Sequence, residues 1–433
     1  MNRSKVHVAV SWFFIIAAIV FIQFTIYQKS LERTLEDSVL NMQIQMSGKY
    51  LIGIKQVAGK NPLLTNRLTQ LEKEYKINQN RNKYLSSIPI LAEISGREAA
   101  LQEIKQMAVD PAGIIDGKNL PIFYRLYNDG SASLDSEQLL VIKEYGWVGR
   151  LALSQDKPDS DPDRQAVLKS AFRMVMLLGL FTIMFMAALV CGVILLIIAI
   201  VQLAKGNIKS HLMITESPLN ALIEAFAIYL ALSTMLPLLM RIIVPGFNGV
   251  ILASIFAVFL PILWPWIRGM GWQDYRNAIG WNSGKGIFRE VCAGIAGFIA
   301  GLPLLIMALI AVIILIKYTG KAPAHPVVLN LSNNPLYLFL LACIYAPFTE
   351  ETLFRGALYG YLRSSLTWLV SAITSSLIFA ILHPQGWVAI PAIGVIGFNL
   401  SAIREWRGSA IASMTAHALN NGSVIMILVV TMM

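Results

Sequence analysis

The sequence predicts an all-α polytopic membrane protein: a helical transmembrane bundle with an inserted, mostly helical extracytoplasmic domain. Two observations carry this. The chain is 56% hydrophobic and only 14% charged, where a soluble domain carries about 25% charged residues. Its apolar residues also gather in runs of roughly 20, the length that crosses a bilayer as a helix, interrupted by one polar stretch over residues 28–170.

The first apolar run, residues 6–27, follows Arg3 and Lys5. It is longer than the apolar region of a signal peptide, and no small-x-small cleavage site follows it. Residues 1–27 are therefore expected to be an uncleaved anchor with a cytoplasmic N-terminus. Residues 28–170 form the soluble domain. Leu31, Leu35, Val39, Met42 and Met46 recur at helical spacing, as do Leu64, Leu68, Leu71 and Tyr75. Ser95 and Glu98 read as a capping box opening a helix. Asn128-Asp129-Gly130 reads as a turn, with a short hairpin expected near 120–155. The acids and bases here read as solvated helix faces.

Further spans are expected at 171–203, 219–243, 248–267, 290–317, 333–355, 366–383, 387–403 and 408–431, nine with the anchor. Residues 171–269 read as accessory transmembrane helices. With the N-terminus inside, the cytoplasmic loops carry Lys205, Lys209, Arg268, Arg276, Lys285, Arg289, Arg363, Arg404 and Arg407, as the positive-inside rule requires. The net charge of +10 is thus spent on the bilayer and gives no reason to expect nucleic acid. The plain anchor and short loops fit a bacterial inner membrane. Cys191, Cys292 and Cys343 lie in apolar runs without CxxC spacing and read as small hydrophobes.

The stretch Ala346–Tyr361 places Glu350, Glu351 and Arg355 inside an apolar helix. A charged side chain at membrane depth costs at least ~2.5 kcal/mol, so such groups are paired, wet or functional. Glu351 and Arg355 stand at i, i+4 and can pair on one helix face. Glu350 points about 100° away and is left available as a general base. The plainer alternative is a helix-end cap from which Arg355 snorkels to the surface. His383 ends the next span before Pro384, with Phe379 one turn earlier as a wall. His417 and Asn421 are one turn apart on the last span and can act as paired donors to an oxyanion, or simply as interhelical hydrogen-bond partners. Asn420 lies off that face. Glu350, His383, His417 and Asn421 together supply a water-activating base and an oxyanion site. Glu350, His383 and His417 could instead hold a zinc ion whose bound water attacks; there is no HExxH helix.

These three stretches resemble the CPBP family of intramembrane proteases, the CAAX-prenyl endopeptidase Rce1-like or Abi family. Glu350-Glu351-x-x-x-Arg355, Phe379-x-x-x-His383 and His417-x-x-x-Asn421 follow the family pattern in order, and Pro347 and Gly356 fit its flanks. The resemblance covers about 270–433, read as a CPBP-like catalytic core, and does not extend to 28–170. It implies that Glu350 and His383 activate water, His417 and Asn421 stabilise the oxyanion, and Glu351 and Arg355 support them. It leaves metalloprotease and metal-free glutamate chemistry both open; the metal-free reading, with no cofactor, is preferred and zinc is the alternative. The expected substrate is a membrane protein or peptide. A non-catalytic scaffold or immunity protein on the same fold is the competing reading. A transporter using these residues as a proton relay is a third, against which the lack of a repeat pairing the two halves counts.

Overall fold

The structure is a computed structural model that describes residues 3–30, 33–59, 85–109, 119–213, 219–243, 250–320 and 335–432. Among these residues all regular structure is helical. The chain divides into two compact units, Arg33–Met184 with Ile427–Met433, and Met1–Glu32 with Phe185–Met426.

In the polar unit, Ile44, Leu51 and Ile52 of α2 (Arg33–Ala58) bury against Ile88 and Leu91 of α3 (Ile88–Ser95) and Ile104 of α4 (Arg97–Val109). Phe123 of α5 (Leu120–Asp129), Ile142 of α6 (Ser136–Glu144) and Trp147 and Leu151 of α7 (Trp147–Ser154) complete this core. Glu93 ties it together, accepting from both terminal nitrogens of Arg164 at 3.2 Å and lying 3.7 Å from Lys55. The expected hairpin near 120–155 is absent, because that segment is three helices. The Asn128-Asp129-Gly130 turn is real, with Gly130 at φ 92°, but Asp135 then opens α6 with a capping box to Gln138. The helix after Ser95 begins at Arg97, yet Ser95 itself closes the preceding helix before Gly96 at φ 103°. Leu64, Leu68, Leu71 and Tyr75 lie outside the described residues.

The apolar unit holds α1 (Arg3–Ser30), α9 (Asn220–Ile243), α10 (Val250–Ile267), α11 (Trp272–Ile279) and α12 (Ile287–Thr319). They are followed by α13 (Leu336–Arg363), α14 (Trp368–Leu382), α15 (Ile390–Arg407) and α16 (Ala410–Met432). The 43-residue α8 (Pro162–Ala204) runs through both residue ranges. Seven helices in the described chain are long and apolar enough to cross a membrane: α1, α8, α9, α12, α13, α15 and α16. With this composition the protein is an integral, polytopic, helical membrane protein. The other two expected spans are shorter. Helix α10 has 18 residues with Pro261 and Pro265 inside it, and α14 has 15, opened by the Thr367 cap and stopped before Pro384.

Close approach of backbones joins α12 to α15 and α16. Gly294, Gly297 and Gly301 line one face of α12. A Cβ on Gly294 would sit 2.4 Å from the Ala412 carbonyl oxygen of α16, and one on Gly297 2.6 Å from Ile403 of α15. Such small-residue seams replace the hydrophobic driving force that helices lack in lipid. Phe226 and Leu230 of α9, Tyr275 and Ile279 of α11, and Leu353, Phe354 and Leu358 of α13 form one buried cluster that reaches Phe379 of α14.

Candidate active site

Helix α13 is irregular where the chemistry lies. It is π-wound over Leu341–Tyr345 and again over Glu351–Leu358. Single π turns inside α-helices concentrate at functional sites.

The second π-wound stretch carries Glu351 and Arg355. Arg355 Nη1 donates to Glu351 Oε1 at 3.0 Å, and neither side chain has any exposed surface. Arg355 Nη2 donates to the Gly397 carbonyl at 3.1 Å, and its guanidinium lies 4.3 Å from the centre of the Phe379 ring. Arg355 therefore does not snorkel; it is sealed in the protein. The same Glu351 oxygen accepts from His417 Nδ1 at 2.9 Å. A carboxylate already bonded to a guanidinium is ionised, so the proton in that bond belongs to Nδ1. Nε2 of His417 then faces Glu350 Oε2 at 3.7 Å. His417 thus joins two neighbouring carboxylates on α13 that a simple helical wheel places apart.

Glu350 differs from Glu351. Its side chain keeps 23% exposure while Glu351 keeps none. Its Oε2 is buried with no hydrogen-bond partner among the described residues, as is Glu351 Oε2, but Glu350 lacks the bonds to Arg355 and His417 Nδ1 that hold the other Glu351 oxygen. One carboxylate is locked in a structural pair; the other has an oxygen free to take a proton.

His383 caps α14 in an extended conformation, φ −77° and ψ 140°, as expected before proline. Its Nδ1 bonds the Phe379 carbonyl at 2.6 Å, which makes Nδ1 the donor and leaves the Nε2 lone pair open. The buried Phe379 ring is the hub: His383 packs 4.2 Å from it and His417 6.0 Å, edge-on. Asn421 donates to the Ala342 carbonyl at 2.8 Å, and its Oδ1 lies 3.4 Å from Asn420 Nδ2.

Glu350, Glu351, Arg355, Phe379, His383 and His417 are thus brought together about one ring, with Asn421 one turn below His417. Among the described residues no three His, Cys, Asp or Glu side chains are arranged to hold a metal ion. No step of the mechanism proposed for Glu350, His383 and His417 passes through a metal. Sequence reasoning missed the Gly397 carbonyl, which only the fold brings under Arg355. It also missed a second polar cluster, where Glu405 accepts from Tyr359 Oη at 2.7 Å and Arg363 Nε at 3.1 Å beside the fully buried Arg404. The available signal was a lone acid within an arginine-rich turn.

Residues 332–423 match a family model described as type II CAAX prenyl endopeptidase Rce1-like. The match spans every motif residue from Glu350 to Asn421 and is the family that those motifs resemble. It covers 92 of the 433 residues and leaves out Arg33–Met184 altogether. No curated protein and no solved structure matches the chain. The core of this membrane protein therefore carries the signature of an endopeptidase family.

Proposed function

We propose that this chain is an intramembrane endopeptidase that hydrolyses a peptide bond of a membrane-associated protein or peptide. The observation that carries the reading is His417 held between Glu351 and Glu350.

In this mechanism Glu350 Oε2, helped by His383 Nε2, takes a proton from a water molecule. The water oxygen bonds the peptide carbonyl carbon. The developing oxyanion is met by His417, whose ring Glu351 orients through Nδ1, and by the amide hydrogen of Asn421 that Ala342 does not use. Collapse of the intermediate breaks the C–N bond, and the proton on Glu350 passes to the leaving nitrogen. A buried base of this kind contributes typically 10²–10⁴-fold, and an oxyanion donor ~10²–10³-fold. No cofactor enters.

The same reading places the protein in a bacterial inner membrane. The N-terminus is cytoplasmic and residues 28–170 form an extracytoplasmic domain, with the membrane-embedded substrate as partner. Residues 171–269 act as accessory spans and 270–433 as the catalytic core.

The test is cleavage of a membrane-protein substrate library by purified protein, with metal content measured in parallel. Glu350→Ala and Glu350→Gln are expected to lose cleavage while keeping their unfolding midpoint, and activity is expected to survive chelation. Activity lost on chelation together with a stoichiometric metal would replace the glutamate-base mechanism by a metal one. A deletion phenotype rescued by Glu350→Gln would overturn the enzyme reading in favour of a scaffold.

A further inference from the structure

Asn421 has a second task, read from the winding of α13. At Leu341–Tyr345 the helix leaves α register, and the Ala346 N–H bonds the Leu341 carbonyl five residues back. That removes from the Ala342 carbonyl its ordinary helical donor, the N–H four residues on. In a π-wound turn the next donor is the N–H of residue 347, and Pro347 has none. The Ala342 carbonyl is therefore orphaned by winding and by sequence together. Its partner is the Asn421 amide at 2.8 Å. Beside this bond Gly422 lies against Cys343, where a Cβ would come 3.6 Å from the sulfur.

We propose that Asn421 is a positioning residue: its amide replaces the backbone donor that Pro347 lacks, and so pins the π-wound turn beneath Glu350 to the helix that carries His417. The two helices are then joined at two levels. His417 meets Glu350 and Glu351 above, and Asn421 holds Ala342 below. Without the lower bond α13 relieves its orphaned carbonyl by rewinding, which moves Glu350 relative to His417. The structural part stands without the endopeptidase reading; only its consequence for turnover rests on that reading.

Cys343 is a built-in reporter, buried inside the pinned turn, whereas Cys191 and Cys292 are exposed. The experiment uses the full-length protein with Cys191→Ser and Cys292→Ser, and follows the rate at which N-ethylmaleimide modifies Cys343. Asn421→Ala is expected to raise that rate about tenfold, the scale set by one orphaned buried carbonyl. Pro347→Ala returns a backbone N–H. Alone it is expected to leave labelling at the parent rate, and combined with Asn421→Ala to bring the rate back toward the parent. Asn421→Asp, similar in size but without a donor when ionised, is expected to behave as Asn421→Ala. Turnover, where measured, should stay low in the double variant although labelling recovers, because the oxyanion donor of Asn421 is still missing. Unchanged Cys343 labelling in both Asn421 variants overturns the proposal. So does a rise of equal size in the presence and absence of Pro347. Absence of proteolysis in the parent would overturn the enzyme reading while leaving the labelling cycle to decide this one.

Discussion

Glu351 and Arg355 have no exposed surface, and their charges persist because each cancels the other within 3.0 Å. Truncating one member of such a pair strands the other charge, at a cost of ~3–5 kcal/mol. Glu351→Ala is therefore expected to lower stability by about that amount in denaturant unfolding of detergent-purified protein, and Glu350→Ala by much less. Equal losses would mean that the two carboxylates share one structural role. Lys49 in the polar unit offers a separate test at this scale. Burial, with the nearby Arg150 charge adding to it, pushes its ammonium down from 10.5 to about 8, while its nitrogen stands 5.8 Å over the Trp147 ring. Between these two values the unfolded chain holds a proton that the folded chain has released, so stability rises with pH across that interval. Melting curves from pH 7 to pH 10 are expected to show this rise in the parent and a weaker one in Lys49→Met.

Elements carry the geometry that residues alone do not fix. Gly356 sits in the π-wound stretch against α11, and a Cβ there would lie 2.9 Å from the Ile279 Cα and 3.0 Å from its carbonyl oxygen. Helix propensity favours Ala over Gly by ~0.5–1 kcal/mol, but overpacking against backbone costs ~1–3 kcal/mol. Gly356→Ala is thus expected to be net destabilising in the same unfolding assay, and a gain in stability would mean that α11 yields freely. The spacing of Glu351 and Arg355 is legible in sequence because i, i+4 neighbours meet in almost any helix. The π winding is not: it shifts register by one residue without changing composition, and Pro347 is its one visible trace. The misread hairpin has the same cause at larger scale. Asn128-Asp129-Gly130 announces a turn in either architecture, and the Asp135 cap, a tertiary-neutral local bond, decides that a helix follows. The role of His417 was half legible. Its type and spacing to Asn421 are in the sequence, but its bond to Glu351 joins residues 66 positions apart.

At the scale of the whole membrane unit, the two short helices raise the question of which loops share a side. The polar contacts answer it. Glu224, in the first turns of α9, accepts from Trp264 at 2.8 Å and from Arg268 just beyond α10, also at 2.8 Å, and lies 3.8 Å from His7 at the start of α1. Since α9 is long enough to span, a helix that returns to its starting level is expected to cross as well, so α10 is expected to cross despite its two prolines. A second set of contacts binds the other loops rich in positive charge. Glu290 at the start of α12 pairs with Arg407 at the end of α15 at 2.6 Å. Arg363 at the end of α13 pairs with Glu405 at 3.1 Å, and His211 Nδ1 donates to the Trp406 carbonyl at 2.8 Å. The segments holding His211, Arg268, Glu290, Arg363 and Arg407 are those that charge bias groups on one side, and that side is cytoplasmic in the proposed orientation. Helices α14 and α15 then leave from and return to that same side. With 15 residues α14 rises only ~22 Å, short of a hydrocarbon core of ~30 Å, so in the proposed orientation His383 stops at membrane depth. Irregular backbone there is tolerated only in protein or beside water, and water is what the proposed hydrolysis needs. Single cysteines placed by Lys209→Cys and Lys285→Cys in a cysteine-free background are expected to react with an impermeant maleimide only in inverted vesicles, and one placed by Asp159→Cys only in intact cells. Lys285→Cys labelling together with Asp159→Cys would mean that α10 does not cross, and it would put the loop before α12 on the side opposite Lys209.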